Sequence, residues 1–370
     1  MRVLVTGGAG FIGGHLVDRL LRDGFEVRVL DNLDPKIHPR GLPSHFPPEA
    51  EFIRGDVTDE AALLHALRGV DFVSHQAAYQ DYMPDFSRFI HVNAVSTALI
   101  FELIVRERLP VQKVIVASSQ AVYGEGQYKC PEHGFFSPRP RSRQQLSDGE
   151  WEVLCPLCRR QAEPLLLSEE DSNPFNQYAV SKLAQEKAAL GLGYLYGIPT
   201  VALRYSITQG PRQSLHNHYS GICRIFVSRA MQGLPLIVYE DGCQTRDFVH
   251  IHDVVDAHML VLSDDRANFQ AYNVGSGRRR TVREFGEAVL ATLGRNCQLN
   301  VTGEFRLGDN RHSVSSIDKL NALGWVPSRG LPQIIVSFAQ WVQSVGGVPP
   351  GIPDAYTNMK EAGVVLPVAS

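Results

Sequence analysis

Cysteine is scarce in this chain, with six among 370 residues, too few for a disulfide framework to stand in for a core. Charge of one sign is scarce as well: 36 Lys and Arg against 39 Asp and Glu leave a net charge of −3. That balance excludes the basic field on which nucleic-acid binding depends, so no nucleic-acid partner is expected. Apolar runs stay short of the roughly 18–20 residues of a membrane span, so no membrane partner is expected either. The opening MRVLVTGGAGFIGG passes from a short apolar run straight into glycines, with no secretory signal, which points to a cytoplasmic address. No internal repeat is visible. What is present, 44% hydrophobic and 20% charged residues, describes an ordinary globular chain long enough for one large or two intimate domains.

The N-terminal half alternates between short apolar runs and amphipathic stretches. Residues 2–6, 26–30, 51–54, 71–75, 112–118 and 200–205 are rich in Val, Ile and Leu and are expected as strands. Between them, 11–22, 60–67, 86–108 and 176–195 carry apolar residues at helical spacing. Near-continuous apolar strands alternating with helices imply a parallel sheet covered on both faces, a doubly wound α/β architecture with ligands at the carboxyl ends of the strands. After Tyr205 the pattern turns to mixed short elements, expected as a smaller α/β substrate-side domain (206–244 and 276–345), with 245–275 returning to the first domain. Residues 346–370, rich in Pro and Gly, are expected as a loose tail.

Gly7, Gly10 and Gly13 follow the first strand and open the first helix. Glycine there permits a tight turn and lets backbone N–H groups, including those of Phe11 and Ile12, approach a pyrophosphate. Asp31 closes the second strand 18 residues beyond Gly13. A carboxylate at that place accepts hydrogen bonds from ribose hydroxyls and repels a 2′-phosphate, so the expected cofactor is NAD rather than NADP. Asn32 stands beside it to share that work.

Tyr178 and Lys182 are four residues apart in NPFNQYAVSKLAQEK and share one helix face. Ser119 ends the fifth strand. A tyrosine acts as a base near neutrality only if its pKa falls from about 10 toward 7, roughly 4 kcal/mol of phenolate stabilisation. An ammonium group and a positive nicotinamide ring supply such a field, and a serine hydroxyl orients the reacting oxygen.

With these residues in order, TGGAGFIG, RGDV, HQAA, SSQAVYG, YAVSK, RDFVHIHD and NVGSG resemble the extended short-chain dehydrogenases, the nucleotide-sugar epimerase/dehydratase group with its Rossmann sheet. The resemblance runs from residue 1 to about 340. It implies that Asp56 and Val57 contact the adenine, Ala77 lies along the cofactor and Asn93 supports it. It makes Tyr178 the catalytic base, with Lys182 and Ser119 as partners. Arg246 and Arg306 would grip a substrate diphosphate, a task suited to the planar guanidinium fork, and Gln120 would face the substrate. It further implies a homodimer built on the helices at 86–108 and 176–195.

Neighbours of Ser119 bear on the reaction. Related 4,6-dehydratases carry an Asp-Glu pair after the hydroxyl residue; here Gln120 and Ala121 stand there and can eliminate no water. Decarboxylating relatives place Glu, and 3,5-epimerases Cys, where Ala121 stands. Oxidation at C4 and return of hydride to the opposite face is the simplest complete chemistry left, a 4-epimerase on a dTDP- or UDP-sugar. A nucleotide-sugar dehydrogenase or reductase, or another epimerase or dehydratase, is the rival enzyme, and an NAD-sensing regulator the non-enzymatic rival. Two departures stand out. RYSITQGP places Ile207 where relatives have an asparagine on the diphosphate, and AAYQDYMPDF is poorer in glycine than the corresponding loop, which implies a reshaped pocket.

From about 125 to 172 the periodicity stops. Cys130-x2-His133 and Cys155-x2-Cys158, with 21 residues between the inner members, suit a tetrahedral Cys3His zinc site. A closed protein shell makes the metal structural. The insertion resembles one in a branch of the family that includes dTDP-L-rhamnose 4-epimerases, and its place between Ser119 and Tyr178 lets it wall the substrate pocket.

Overall fold

Seven parallel strands form the centre of the molecule. They are β1 (Arg2–Thr6), β2 (Glu26–Asp31), β3 (Glu51–Arg54), β4 (Phe72–His75), β5 (Lys113–Ser119), β6 (Thr200–Tyr205) and β7 (Gln270–Val274), in the order β7-β6-β5-β4-β1-β2-β3. The computed structural model describes residues 1–81, 84–215, 221–349 and 355–369. Strand order reverses between β1 and β4, so the two halves of the sheet open a crevice above the carboxyl ends of these strands. Thr6 pairs with Leu30 on one side and His75 on the other, which brings the glycine loop, Asp31 and the segment after His75 to one rim.

Helices α1 (Phe11–Arg22), α2 (Glu60–Leu67), α3 (Phe86–Arg106), α4 (Gln177–Tyr196) and α5 (Ile251–Ser263) cover the two faces. Leu16, Val17 and Leu20 of α1 and Val254, Ala257 and Val261 of α5 pack on Val5, Val29, Ile115 and Leu203. On the other face Leu63, Ala66, Ile100, Phe101, Ile104 and Ala189 pack on Leu4, Val73, Val114 and Val116. Both faces are covered by helices, which is why the strands are mainly apolar.

Two stretches depart from expectation. Helix α3 is not regular: residues Ile90–Val95 form a π-turn, where the wider spacing sets Asn93 into the interior. By length and composition α3 could also cross a membrane, contrary to the sequence reading. Its Ile100, Phe101, Leu103 and Ile104 nonetheless lie in the core beneath the sheet. The tail is not wholly loose, since Ala355–Glu361 is helical and Val365–Leu366 pairs antiparallel with Phe305–Arg306. Met359 and Val365 supply the burial that a Pro/Gly count does not reveal.

The 125–172 stretch has its own small architecture. Gly134–Phe136, Tyr128–Cys130 and Glu163–Pro164 make a three-stranded sheet, and Arg143–Ser147 is a short helix. Its apolar core is small, Tyr128, Val153 and Ala162 with Phe136 against them. The residues after β6 gather around a separate core of Phe226, Phe285 and Phe338. There Thr245–Arg246 pairs with His312–Ser313.

Candidate active site

The glycine loop is fixed by close approach. Gly7 has φ +69°, and a Cβ on it would lie 2.8 Å from the Ala77 backbone; one on Gly13 would lie 2.2 Å from the Gly7 carbonyl oxygen. Gly10 caps α1 without any side-chain hydrogen bond, and no acidic residue occupies the first turn. The first N–H groups of α1 therefore face the crevice uncapped, as a pyrophosphate site needs. Phe11 and Ile12 turn their side chains against the core, so their contribution there is backbone. Asp31 is buried, and its carboxylate accepts from Ala9 N at 3.1 Å and Leu33 N at 2.9 Å. It thus steadies the glycine loop from the second strand.

Asp56 accepts from Asn32 Nδ2 at 2.8 Å and from both the backbone N–H and hydroxyl of Thr58. Burial works against its ionisation, but these donors hold it below the usual carboxylate range. Val57 beside it is buried in the core. Thr6 Oγ1 accepts from Ala77 N at 3.2 Å and bonds to His75 Nδ1 at 2.7 Å. Burial pushes that imidazole down to about 3, so it stays neutral. Asn93 accepts from Tyr79 N at 2.7 Å and donates to Tyr79 O at 3.0 Å and Ser181 Oγ at 2.9 Å. From the π-turn it joins the loop after β4 to the helix of Tyr178. Of the AAYQDYMPDF stretch, Tyr82 and Met83 lie outside the described residues.

Ser119 ends β5 and its hydroxyl accepts from Ala121 N at 3.1 Å, which turns the chain into Gln120–Tyr123. Tyr178 lies in the first turn of α4, behind an Asn176 cap that accepts from Ala179 N. Burial pushes the Tyr178 phenol up to about 12, and a hydrogen bond with Ser119 pulls the other way. Lys182 is buried and donates Nζ to Ala117 O at 2.7 Å and Gln185 Oε1 at 2.8 Å; burial lowers it to about 7. Serine, tyrosine and lysine converge at the sheet rim, yet the protein on its own does not make the phenol acidic. The depressed tyrosine expected from the pattern requires a further positive charge beside it.

Arg246 donates to three backbone carbonyls, those of Thr245 at 2.9 Å, Arg311 at 3.1 Å and Asn310 at 2.7 Å. Arg306 pairs with Asp309 at 2.5 Å and lies 5.5 Å from the centre of the Tyr239 ring. Gln120 Oε1 accepts from Ser313 Oγ at 3.3 Å, joining the catalytic strand to the Arg246 ladder. Ile207, in place of an asparagine, packs against the core around Phe226.

Residues 3–144 and 157–275 match the NAD dependent epimerase/dehydratase family. The chain belongs to that family. A dTDP-L-rhamnose 4-epimerase from Burkholderia thailandensis is 32% identical over 352 residues, which cover 92% of this chain and 94% of that protein. Among solved structures, a Thermus thermophilus UDP-glucose 4-epimerase complexed with NAD is 32% identical with a TM-score of 0.72, over 93% of this chain and 99% of that one. A Thermotoga maritima UDP-glucose 4-epimerase with UDP-glucose is 25% identical with a TM-score of 0.76, over the same shares of the two chains.

The family match skips 145–156, inside the insertion. There the ligand atoms of Cys130, His133, Cys155 and Cys158 all lie within 4.8 Å of one another. His133 Nδ1 is 3.5 Å from the sulfurs of Cys130 and Cys155, and the sulfurs of Cys130 and Cys158 are 3.7 Å apart. A tetrahedral metal with bonds of about 2.3 Å to sulfur and about 2.0–2.1 Å to nitrogen sets about 3.8 Å between sulfurs and about 3.5 Å from sulfur to nitrogen. The spacing fits. Burial opposes the Cys130 thiolate, but the backbone N–H groups of Glu132 and His133 and the His133 ring bring it to about 6. Donors aimed at sulfur are what an outer shell around a metal supplies.

The sequence reading passed over two sets of residues. Glu186 and Arg204 form a buried pair behind the catalytic helix. Glu186 had a signal, since it continues the Tyr178 and Lys182 face at the same spacing; Arg204 had one too, as the lone charge in an apolar strand. The second set, Glu125, Arg141, Glu240 and Arg311, gave none, because nothing local relates the insertion to the end of the chain.

Proposed function

We propose that the protein is an NAD-dependent nucleotide-sugar 4-epimerase acting on a dTDP- or UDP-sugar. The observation that carries this reading is Ser119 at the end of β5 and Tyr178 in the first turn of α4 brought together beside buried Lys182, followed by Gln120 and Ala121, which lack the acid and base that dehydration needs. Tyr178 takes the proton of the sugar 4-hydroxyl, and Ser119 holds that oxygen. NAD, held by the glycine loop and Asp31 when bound, would supply the hydride acceptor and donor that inversion at C4 needs. Lys182, held on Ala117 O, keeps positive charge near the phenolate as it forms. The named relatives, two of them UDP-glucose 4-epimerases, support this choice over a dehydrogenase or reductase.

In this reading Gly7, Gly10, Phe11, Ile12, Gly13, Asp31, Asn32, Asp56, Val57, Ala77 and Asn93 build the NAD site. Arg246, Arg306 and Gln120 meet the nucleotide-sugar. Residues 1–205 with 245–275 form the cofactor domain, and 206–244 with 276–345 the substrate domain. Cys130, His133, Cys155 and Cys158 hold one structural zinc. Phe86, Ile90 and Val95 on α3 and Val180, Tyr194 and Leu195 on α4 are exposed apolar residues suited to a homodimer of four packed helices. We place the enzyme in the cytoplasm.

The test supplies UDP- and dTDP-hexoses to the NAD-loaded protein and follows inversion at C4 by proton NMR. Tyr178→Phe should fold, retain NAD and lose turnover. Net reduction of NAD with accumulation of an oxidised sugar would make it a dehydrogenase, and native-like turnover by Tyr178→Phe would remove the mechanism.

A further inference from the structure

Arg311 is fully buried, yet all five of its guanidinium hydrogens meet carboxylate oxygens. Nε and Nη2 donate to Glu152 Oε1 at 3.0 and 2.6 Å. Nη1 donates to Glu240 Oε2 and Asp241 Oδ1, both at 2.8 Å, and Nη2 to Asp241 Oδ2 at 2.8 Å. No donor is left for a ligand, so this arginine does not itself bind substrate. Its backbone has a different task. Arg311 N donates to Glu125 Oε2 at 2.8 Å, while Arg311 O and Asn310 O accept from Arg246. With three hydrogens of Arg246 spent on carbonyls, the fork is aimed by the main chain at Thr245, Asn310 and Arg311. Its Nε and one Nη2 hydrogen make no bond to protein among the described residues.

Half of the anchor comes from the insertion. Glu125, Arg141 and Glu152 belong to residues 125–172; Glu240, Asp241 and Arg311 belong to the substrate domain, whose His312–Ser313 strand pairs with Thr245–Arg246. Arg141 crosses the boundary with a two-pronged pair to Glu240 at 3.0 and 2.9 Å, and also donates to Asp309 O at 2.9 Å. Asp309 in turn holds Arg306. Removing one partner from a buried pair is strongly destabilising, so the pairs of buried Arg141, Glu240 and Arg311 hold one another in the observed geometry. That geometry fixes the backbone from 309 to 312, and with it both arginines.

We propose that Arg311 is a positioning residue that sets the affinity for the diphosphate of the nucleotide-sugar by holding the carbonyls that aim Arg246, with the insertion's Glu152 as the other half of the anchor. This rests on the nucleotide-sugar reading above.

The test measures binding of UDP and dTDP to the NAD-loaded full-length protein by calorimetry, with steady-state kinetics on the active nucleotide-sugar. Arg311→Met should weaken nucleoside diphosphate binding and raise KM at least about tenfold while kcat falls less than about threefold, the signature of lost uniform binding. NAD binding should not change. In an Arg246→Ala background the same change should add less than about twofold, because its effect passes through Arg246. Glu152→Gln, which keeps shape and removes one charge, should weaken UDP and dTDP about threefold or more, and serves if Arg311→Met does not fold. Native affinity in a folded Arg311→Met or Glu152→Gln protein, or effects that multiply with Arg246→Ala, would overturn the proposal and leave the epimerase reading standing. If the native protein binds neither nucleoside diphosphate, the nucleotide-sugar reading falls and takes this inference with it.

Discussion

Glu186 of the catalytic helix and Arg204 of β6 form a two-pronged ion pair in the interior, with Nη2 to Oε1 at 2.7 Å and Nε to Oε2 at 2.9 Å. The same carboxylate accepts from Ser118 Oγ at 2.7 Å, next to Ser119. The pair therefore joins the strand that ends in the catalytic serine to the helix that presents Tyr178 and Lys182. Glu186→Ala leaves a buried guanidinium without its partner and should cost about 3–5 kcal/mol of unfolding free energy, read by urea titration. A loss below about 1 kcal/mol would mean that the arginine finds another partner or water.

Lys182 makes stability depend on pH in the alkaline range. Unfolded, it keeps its proton to about 10.5; folded, burial releases it near about 7. Between those values the unfolded chain binds more protons, so stability rises with pH. From pH 7.5 to 9.5, nucleotide-free native protein should gain on the order of 2 kcal/mol over Lys182→Met. Parallel unfolding curves for the two proteins would show that Lys182 keeps its charge when folded.

His258 does the corresponding work in acid. Both of its ring nitrogens are buried without a hydrogen-bond partner among the described residues, and burial lowers it to about 3. Acidification from 6.5 must charge the unfolded imidazole first, so stability falls as pH falls. His258→Leu should be at least as stable at pH 7 and should lose about 2 kcal/mol less between pH 7 and 4.5. Identical acid slopes would point to a hidden partner for the ring.

Asp31 carries two duties, since its carboxylate also restrains Ala9 in the glycine loop. Asp31→Ala should weaken NAD about tenfold or more and narrow the preference over NADP, as acceptor and repulsive charge vanish together. Fluorescence titration with the two reduced cofactors measures both effects. An unchanged preference ratio would assign selectivity to Asn32 or beyond.

For the insertion, purified protein should carry about one zinc per chain by elemental analysis. Cys155→Ser should release it and open 125–172 to protease, because the small core around Tyr128 and Val153 cannot order that segment alone. NAD binding should survive, as the glycine loop lies outside the insertion. Metal-free native protein with all four ligands reduced would end the zinc proposal.

Local order was legible in the sequence because it rests on short-range rules. Apolar runs marked β1 to β6, glycine spacing marked the mouth of α1, and an i, i+4 interval put Tyr178 and Lys182 on one face. The two cysteine-containing pairs of the insertion were legible for the same reason, each being complete within four residues. What the tertiary structure alone decided depends on distance through space and on solvent. Burial sets the phenol of Tyr178 high and the ammonium of Lys182 low, and residue identity carries no measure of burial. The π-turn at Asn93 arises where α3 meets the loop after β4 and the helix of Tyr178. The Glu125 carboxylate meets the backbone N–H of Arg311 across 186 residues of chain; such a long-range contact has no periodicity to betray it, so only the closed fold could bring the insertion and the substrate arginines into one cluster.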